Sequence, residues 1–215
     1  KNKFEGELDP AAYLNSLWEK AGRLGIKILT GISVQRIDHE AGIVSANGLF
    51  GMGEVEFLGG KIAVCTNAFT KDLWKDCPLE PGRGMVLLSK PLDFEISWKG
   101  AYYMDKGYVY FREVDGRLLL GGARNKDLEG EKTTEFGVNS RIKSHLERLA
   151  KEVIFPYRNV EWEKEWTGIM AFGPKKSPII QQIGPKTAVA VRLGGMGVAI
   201  GWQVGKELSE LLSEM

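Results

Sequence analysis

Near its end the chain passes from an apolar stretch, Ala188-Val189-Ala190-Val191, through Leu193-Gly194-Gly195-Met196-Gly197 into a segment with Val198, Val204, Leu208, Leu211 and Leu212 on one stripe. Apolar run, closely spaced glycines and helical periodicity together predict a strand, a tight turn and an amphipathic helix. Glycine lets backbone approach a ligand closely, and the first N–H groups of a helix favour an anion or a developing negative charge. Three readings are open. The spacing Gly195-x-Gly197-x-x-x-Gly201 approximates a dinucleotide pyrophosphate loop, but that loop opens a strand-helix-strand unit with an acidic residue about 20 positions on, and no second strand is expected before Met215. A tight turn without a ligand is the second reading. In the third, the turn meets the end of a redox cofactor where negative charge gathers on reduction.

With 215 residues and 43% hydrophobic content the chain can bury a sizeable core, as one domain or two small ones. Its 29 basic and 28 acidic side chains nearly balance, so no long-range field gathers nucleic acid or an anionic membrane, and neither partner is expected. The two cysteines, Cys65 and Cys77, have no Cys-x-x-Cys spacing and no histidine cluster nearby, which argues against a metal site or a disulfide framework. No apolar run approaches membrane-span length, and Lys1 to Gly6 does not resemble a secretory signal. A reducing, cytoplasmic setting is the expectation.

Along the chain, Asp9 and Pro10 open a helix that carries Leu14, Leu17, Trp18, Ala21 and Leu24 and closes at Gly25. Residues 26–29 and 33–38 read as strands, with Asn47-Gly48 as a hairpin turn. The run 62–65 reads as a strand covered on both faces, after which Asn67 caps a short helix reaching Trp74. Prolines and glycines around a strand at 85–89 place a boundary near Pro81. Asp115-Gly116 turns a second hairpin, in which alternation sends Tyr108, Tyr110 and Arg112 to one face and Val109 and Phe111 to the other. An amphipathic helix carries Ile142, His145, Leu146 and Leu149, and strands are expected at 160–169 and 187–192. No Ser-His-Asp arrangement is evident; His39 and His145 read as a turn residue and a helix-face residue.

Six segments, in this order and spacing, resemble FAD-dependent oxidoreductases of the family that includes D-amino-acid oxidase, glycine oxidase and sarcosine oxidase. They are Gly6-Glu7-Leu8-Asp9-Pro10, Ile62-Ala63-Val64-Cys65-Thr66-Asn67-Ala68, Pro81-Gly82-Arg83-Gly84, Tyr108-x-Tyr110-Phe111-Arg112 through Leu120-Gly121-Gly122, Trp166-Thr167-Gly168-Ile169-Met170, and Gly194 to Val198. The resemblance implies a mixed α/β (α+β) fold: a partial FAD-binding Rossmann-like domain plus a mixed or antiparallel β-sheet substrate domain with a helix packed on it. The expected divisions are 1–80 and 166–215 in the FAD-binding part and 81–165 in the substrate part. The family's opening strand, G-x-G-x-x-G loop and helix are not found before Asp9, so the chain is expected to be a C-terminal fragment that is inactive in isolation.

By the same resemblance Val34 meets the adenine, Thr66, Asn67 and Ala68 pass near the flavin nucleotide, and Gly194, Gly195, Met196, Gly197 and Val198 meet the pyrimidine end of the flavin. From the residues alone, Val34 reads equally as an ordinary strand residue and Asn67 as a helix cap. Tyr108 matches a substrate-pocket tyrosine. Amino-acid oxidases carry an arginine for the substrate carboxylate where this chain has Met170, so an amine fits better than a free amino acid unless Arg124 supplies the charge. Leu119 stands where sarcosine oxidases place a lysine linked to oxygen reactivity, leaving a dehydrogenase open. The function implied is oxidation of a C–N bond by hydride transfer to flavin N5. The alternative is a non-catalytic binding or assembly module without tightly held FAD. A small amine or amino acid is the expected partner, and oligomeric state is not indicated.

Overall fold

In the computed structural model, residues 6–48 and 53–215 are described. They divide into two compact units, one of Leu8–Leu79 with Ala171–Met215 and one of Glu80–Met170 with Gly6 and Glu7.

The first unit opens with helix α1, Pro10–Arg23. Asp9 caps it, accepting from Ala11 N at 2.8 Å and Ala12 N at 3.1 Å, and Gly25 leaves it with φ 76°. None of its residues is buried; Leu14 and Trp18 are 55% and 51% exposed. Local signals therefore define α1 more than packing does. Residues 26–29 form no strand, contrary to expectation, because the Ile26 N–H returns to Ala21 O at 3.0 Å to close the helix. An antiparallel meander follows, of β1 Ile32–Asp38, β2 Ile43–Gly48 and β3 Glu54–Leu58. Its first turn forms where Asp38 accepts from Glu40 N and Ala41 N and Gly42 takes φ 77°. Asn47-Gly48 is not a turn but the end of β2, with Asn47 opposite both Ser33 and Glu54; part of the β2–β3 connection lies outside the described residues. Next comes β4, Ile62–Val64, in which Ile62 and Val64 are buried while Ala63 and, beyond it, Cys65 are exposed. That strand is covered on one face rather than two.

The second unit is a five-stranded sheet of β5 Glu80–Ser89, β6 Tyr102–Met104, β7 Val109–Val114, β8 Arg117–Gly122 and β9 Trp162–Phe172, in the order β6-β7-β8-β5-β9. Asp115 (φ 49°) and Gly116 (φ 72°) make the expected two-residue turn between β7 and β8. Helix α2, Ser140–Leu149, starts at Asn139, whose side chain accepts from Arg141 N and Ile142 N, and continues as a π-turn over Ala150–Ile154. It lays Ile142, Leu146 and Ala150 on Met85, Leu87, Val109, Leu118 and Leu120, all at most 1% exposed. Each large side chain so buried contributes about 1.5–3 kcal/mol. Glu131, whose side chain is 1% exposed, forms a bidentate pair with Arg83 at 2.9 and 3.1 Å and accepts from Asn139 at 2.8 Å. The α2 cap and strand β5 are thus tied through one carboxylate.

Returning to the first unit, β10 Ile179–Gly184 pairs antiparallel with β11 Thr187–Val191, which pairs parallel with β4. Every residue of β11 is buried. Helix α3, Gly197–Glu214, packs Val204 and Leu208 on Ala188 and Ala190. Among the described residues no helix is long and apolar enough to cross a membrane, and no group of three potential metal ligands occurs.

Candidate functional site

Parallel strands β4 and β11 lie side by side, and the segments leaving their carboxyl ends are where open α/β sheets hold ligands. After β4 come Thr66, Asn67 and the buried Ala68. Asn67 is not the helix cap: it lies inside a 3-10 segment, Asn67–Asp72, with φ 45°. Its side-chain oxygen instead accepts the Arg192 N–H at 3.2 Å, so the turn after β4 is bonded to the turn after β11. The Thr66 hydroxyl pairs with that of Thr70 at 2.9 Å.

Arg192 went unmarked by the sequence. It is 6% exposed with φ 64°, a left-handed backbone rare outside glycine. Its guanidinium donates from Nε to Ser177 O and from Nη1 to Pro78 O, both at 3.0 Å, and lies where a Cβ on Gly173 would come within 2.8 Å of its Cδ. Beyond it Gly194 and Gly195 take φ 57° and 82°, with Gly194 N bonded to Ala171 O at 3.0 Å. Helix α3 then opens at Gly197, flanked by Met196 and Val198 at 56% and 49% exposure. A Cβ placed on Gly194, Gly197 or Gly201 would meet nothing within 4 Å. In the first turn of α3 both Ala199 N and Ile200 N bond Met196 O, and the helix start carries roughly half a positive charge. Between the β4-side and glycine-side groups, Asn67 bonds Arg192, two residues before Gly194; Val34, 38% exposed, lies on β1 in the other sheet of the same unit.

Tyr108, Arg124 and Met170 belong to the second unit. Its sheet buries one face beneath α2; on the other lie Tyr110, Arg112, Leu119 and Val86, offset by one from the buried set. Tyr110 stands opposite Gly121 and lies across it: a Cβ there would be 2.6 Å from the phenolic oxygen and 2.9 Å from Met85 O. Burial, with Tyr103 adding to it, pushes the Tyr110 phenol above its ordinary pKa and keeps it neutral. Gly84 likewise leaves room for the Met170 thioether, whose Cε would sit 2.6 Å from a Cβ on that glycine.

Tyr108 does not follow strand alternation. Its φ of −73° and ψ of −24° place it at the end of a short turn, before β7 begins. The three preceding residues, Asp105, Lys106 and Gly107, all have positive φ, at 51°, 58° and 88°. Tyr108 N bonds to Asp105 O at 3.1 Å and Tyr108 O accepts from Ala123 N at 2.6 Å, immediately before Arg124. Asp-Lys-Gly was a legible turn signal that could have separated Tyr108 from the strand.

A family model described as FAD dependent oxidoreductase matches residues 3–211. The chain belongs to this family. Solved structures share its fold: L-proline dehydrogenase from P. horikoshii superposes with a TM-score of 0.77 at 18% identity, over 97% of this chain and 56% of that one. Glycine oxidase from Bacillus cereus gives 0.71 at 14% identity, over 93% and 55%, and L-amino acid deaminase from Proteus vulgaris gives 0.66 at 16%, over 91% and 57%. The chain spans little more than half the length of each. No curated relative matches by sequence. FAD is the cofactor of the family, and the open-faced glycines at the start of α3 suit a planar, electron-accepting ring.

Proposed function

We propose that this protein oxidises the carbon–nitrogen bond of an amine or amino acid, with FAD as the electron acceptor. The observation that supports this most is the Asn67–Arg192 hydrogen bond, which ties together the two turns at the carboxyl ends of β4 and β11. Bound FAD supplies an acceptor at N5 for the hydride that leaves the carbon next to nitrogen, while the nitrogen lone pair completes a C=N bond. The chain's own residues position and shield. Gly194, Gly195, Met196, Gly197 and Val198 would hold the pyrimidine end of the ring, and the positive end of α3 would favour negative charge there. Thr66, Asn67 and Ala68 would line the nucleotide, and the backbone of Val34 would receive the adenine.

For substrate we assign Tyr108 as a contact, together with Met170, which presents a thioether where amino-acid oxidases carry an arginine for the carboxylate. An amine or N-substituted amine is therefore the favoured class, with Arg124 as the cation that would admit an amino acid. No acid–base dyad is needed, because the substrate amine loses hydride rather than being attacked.

The test is to purify the flavin-loaded protein and add glycine, N-methylglycine, L-proline and simple secondary amines without oxygen. Loss of the visible flavin absorption with one of them supports the proposal. A protein that holds no flavin, or whose flavin no amine reduces, is the non-catalytic module instead.

A further inference from the structure

We propose that Asp105 is a positioning residue that fixes the turn bearing Tyr108 against the turn bearing Arg124; this rests on the reading above that both residues face substrate. Asp105, Lys106 and Gly107 run through the left-handed region in succession, and two of them are not glycine. Such backbone persists only where its surroundings hold it. What holds it is the Asp105 carboxylate: Oδ2 accepts from Asn125 Nδ2 at 2.8 Å and lies 3.0 Å from Lys126 Nζ.

The main chain completes a circuit. Asp105 O accepts from Tyr108 N, and Tyr108 O accepts from Ala123 N. Asn125, two residues beyond Ala123, returns to the Asp105 side chain, so the loop of bonds runs 105, 108, 123, 125 and back, with Arg124 enclosed between its last two members. Gly122, at φ 98°, has no room for a side chain, since a Cβ would lie 2.0 Å from Tyr108 O. The Asn125 Oδ1 atom is buried without a partner, so the amide is oriented by its donation to Asp105 and by no bond of its own oxygen. Without the carboxylate the two turns lose the Asn125 and Lys126 contacts and retain the Tyr108–Ala123 bond.

The experiment compares D105A, D105N and D105G in the FAD-loaded protein, using the amine found to reduce the flavin and following amide exchange at Ala123. Asparagine still accepts from Asn125 and tolerates left-handed backbone; glycine suits that backbone without any acceptor. The expected result is a KM about tenfold higher in D105A and D105G with kcat changed far less, faster Ala123 exchange, and substantial rescue in D105N. Flavin content should not move. If D105A does not fold, D105G carries the comparison. Y108F and R124M check the underlying reading: if neither alters KM, the assignment of those two residues to substrate fails. If they raise KM while D105G matches wild type in KM and Ala123 exchange, the positioning role of Asp105 is overturned.

Discussion

The main-chain N–H of Arg192 donates to the side-chain oxygen of Asn67 at 3.2 Å, joining two turns that are 125 residues apart in sequence. Asn67 supplies both the acceptor and a residue type tolerant of φ 45°. Replacing it by glycine keeps the backbone and orphans the Arg192 N–H, a loss of about 1–3 kcal/mol. FAD affinity, measured by flavin fluorescence titration of the apoprotein, should fall roughly tenfold in N67G and further in N67A, with N67D close to wild type.

Two glycines on the sheet face opposite α2 should respond differently to alanine. At Gly121 the added methyl meets a backbone carbonyl, Met85 O at 2.9 Å, as well as the Tyr110 phenol. At Gly84 it meets only the flexible end of Met170. G121A should cost about 1–3 kcal/mol in denaturant unfolding, whereas G84A should cost well under that and act mainly on substrate KM. Equal losses in both would contradict this placement.

Glu131 is the most deeply buried carboxylate among the described residues and faces Arg83 in bidentate geometry. E131L leaves the guanidinium, itself 13% exposed, without its counter-charge. A loss of roughly 3–5 kcal/mol is expected from chemical denaturation, with partial recovery in the R83M/E131L double variant.

Burial holds the His145 imidazole below its ordinary pKa, reinforced by Lys126 and Arg148 and opposed by Asp105. The unfolded chain therefore takes up a proton as pH falls through about 6.5 while the folded chain does not, so folded stability declines with acidification in that window. Denaturation midpoints should drop between about pH 7 and pH 5, and H145Q should flatten that slope.

Much of the architecture was readable where a local signal and tertiary packing agree. Asp9-Pro10 opens α1, Asp115-Gly116 turns the β7–β8 hairpin, and Ile142 and Leu146 face the core as their spacing requires. Signals failed where a distant partner decides. Asn47-Gly48 has turn composition, yet pairing on both sides, with Ser33 and with Glu54, draws it into β2. Strand β10, with polar Gln181 and Gln182 between Pro178 and Pro185, is specified by its pairing with β11 and carries little periodicity of its own. Within the candidate site, glycines and Asn67 announced themselves. Arg192 did not, because its partners are carbonyls of Pro78 and Ser177, which composition cannot encode.

Pro78 and Gly173 mark where the main chain departs for residues 80–170 and where it comes back, and both touch Arg192: a Cβ on Gly173 would be 3.0 Å from Pro78 O. The strands that begin and end the intervening block, β5 and β9, are themselves neighbours. A block whose two ends lie together can be lengthened, reshaped or exchanged without stretching the sheet that hosts it. Residues 80–170 can thus drift, or be exchanged, as a single cassette while the turns after β4 and β11 stay as they are.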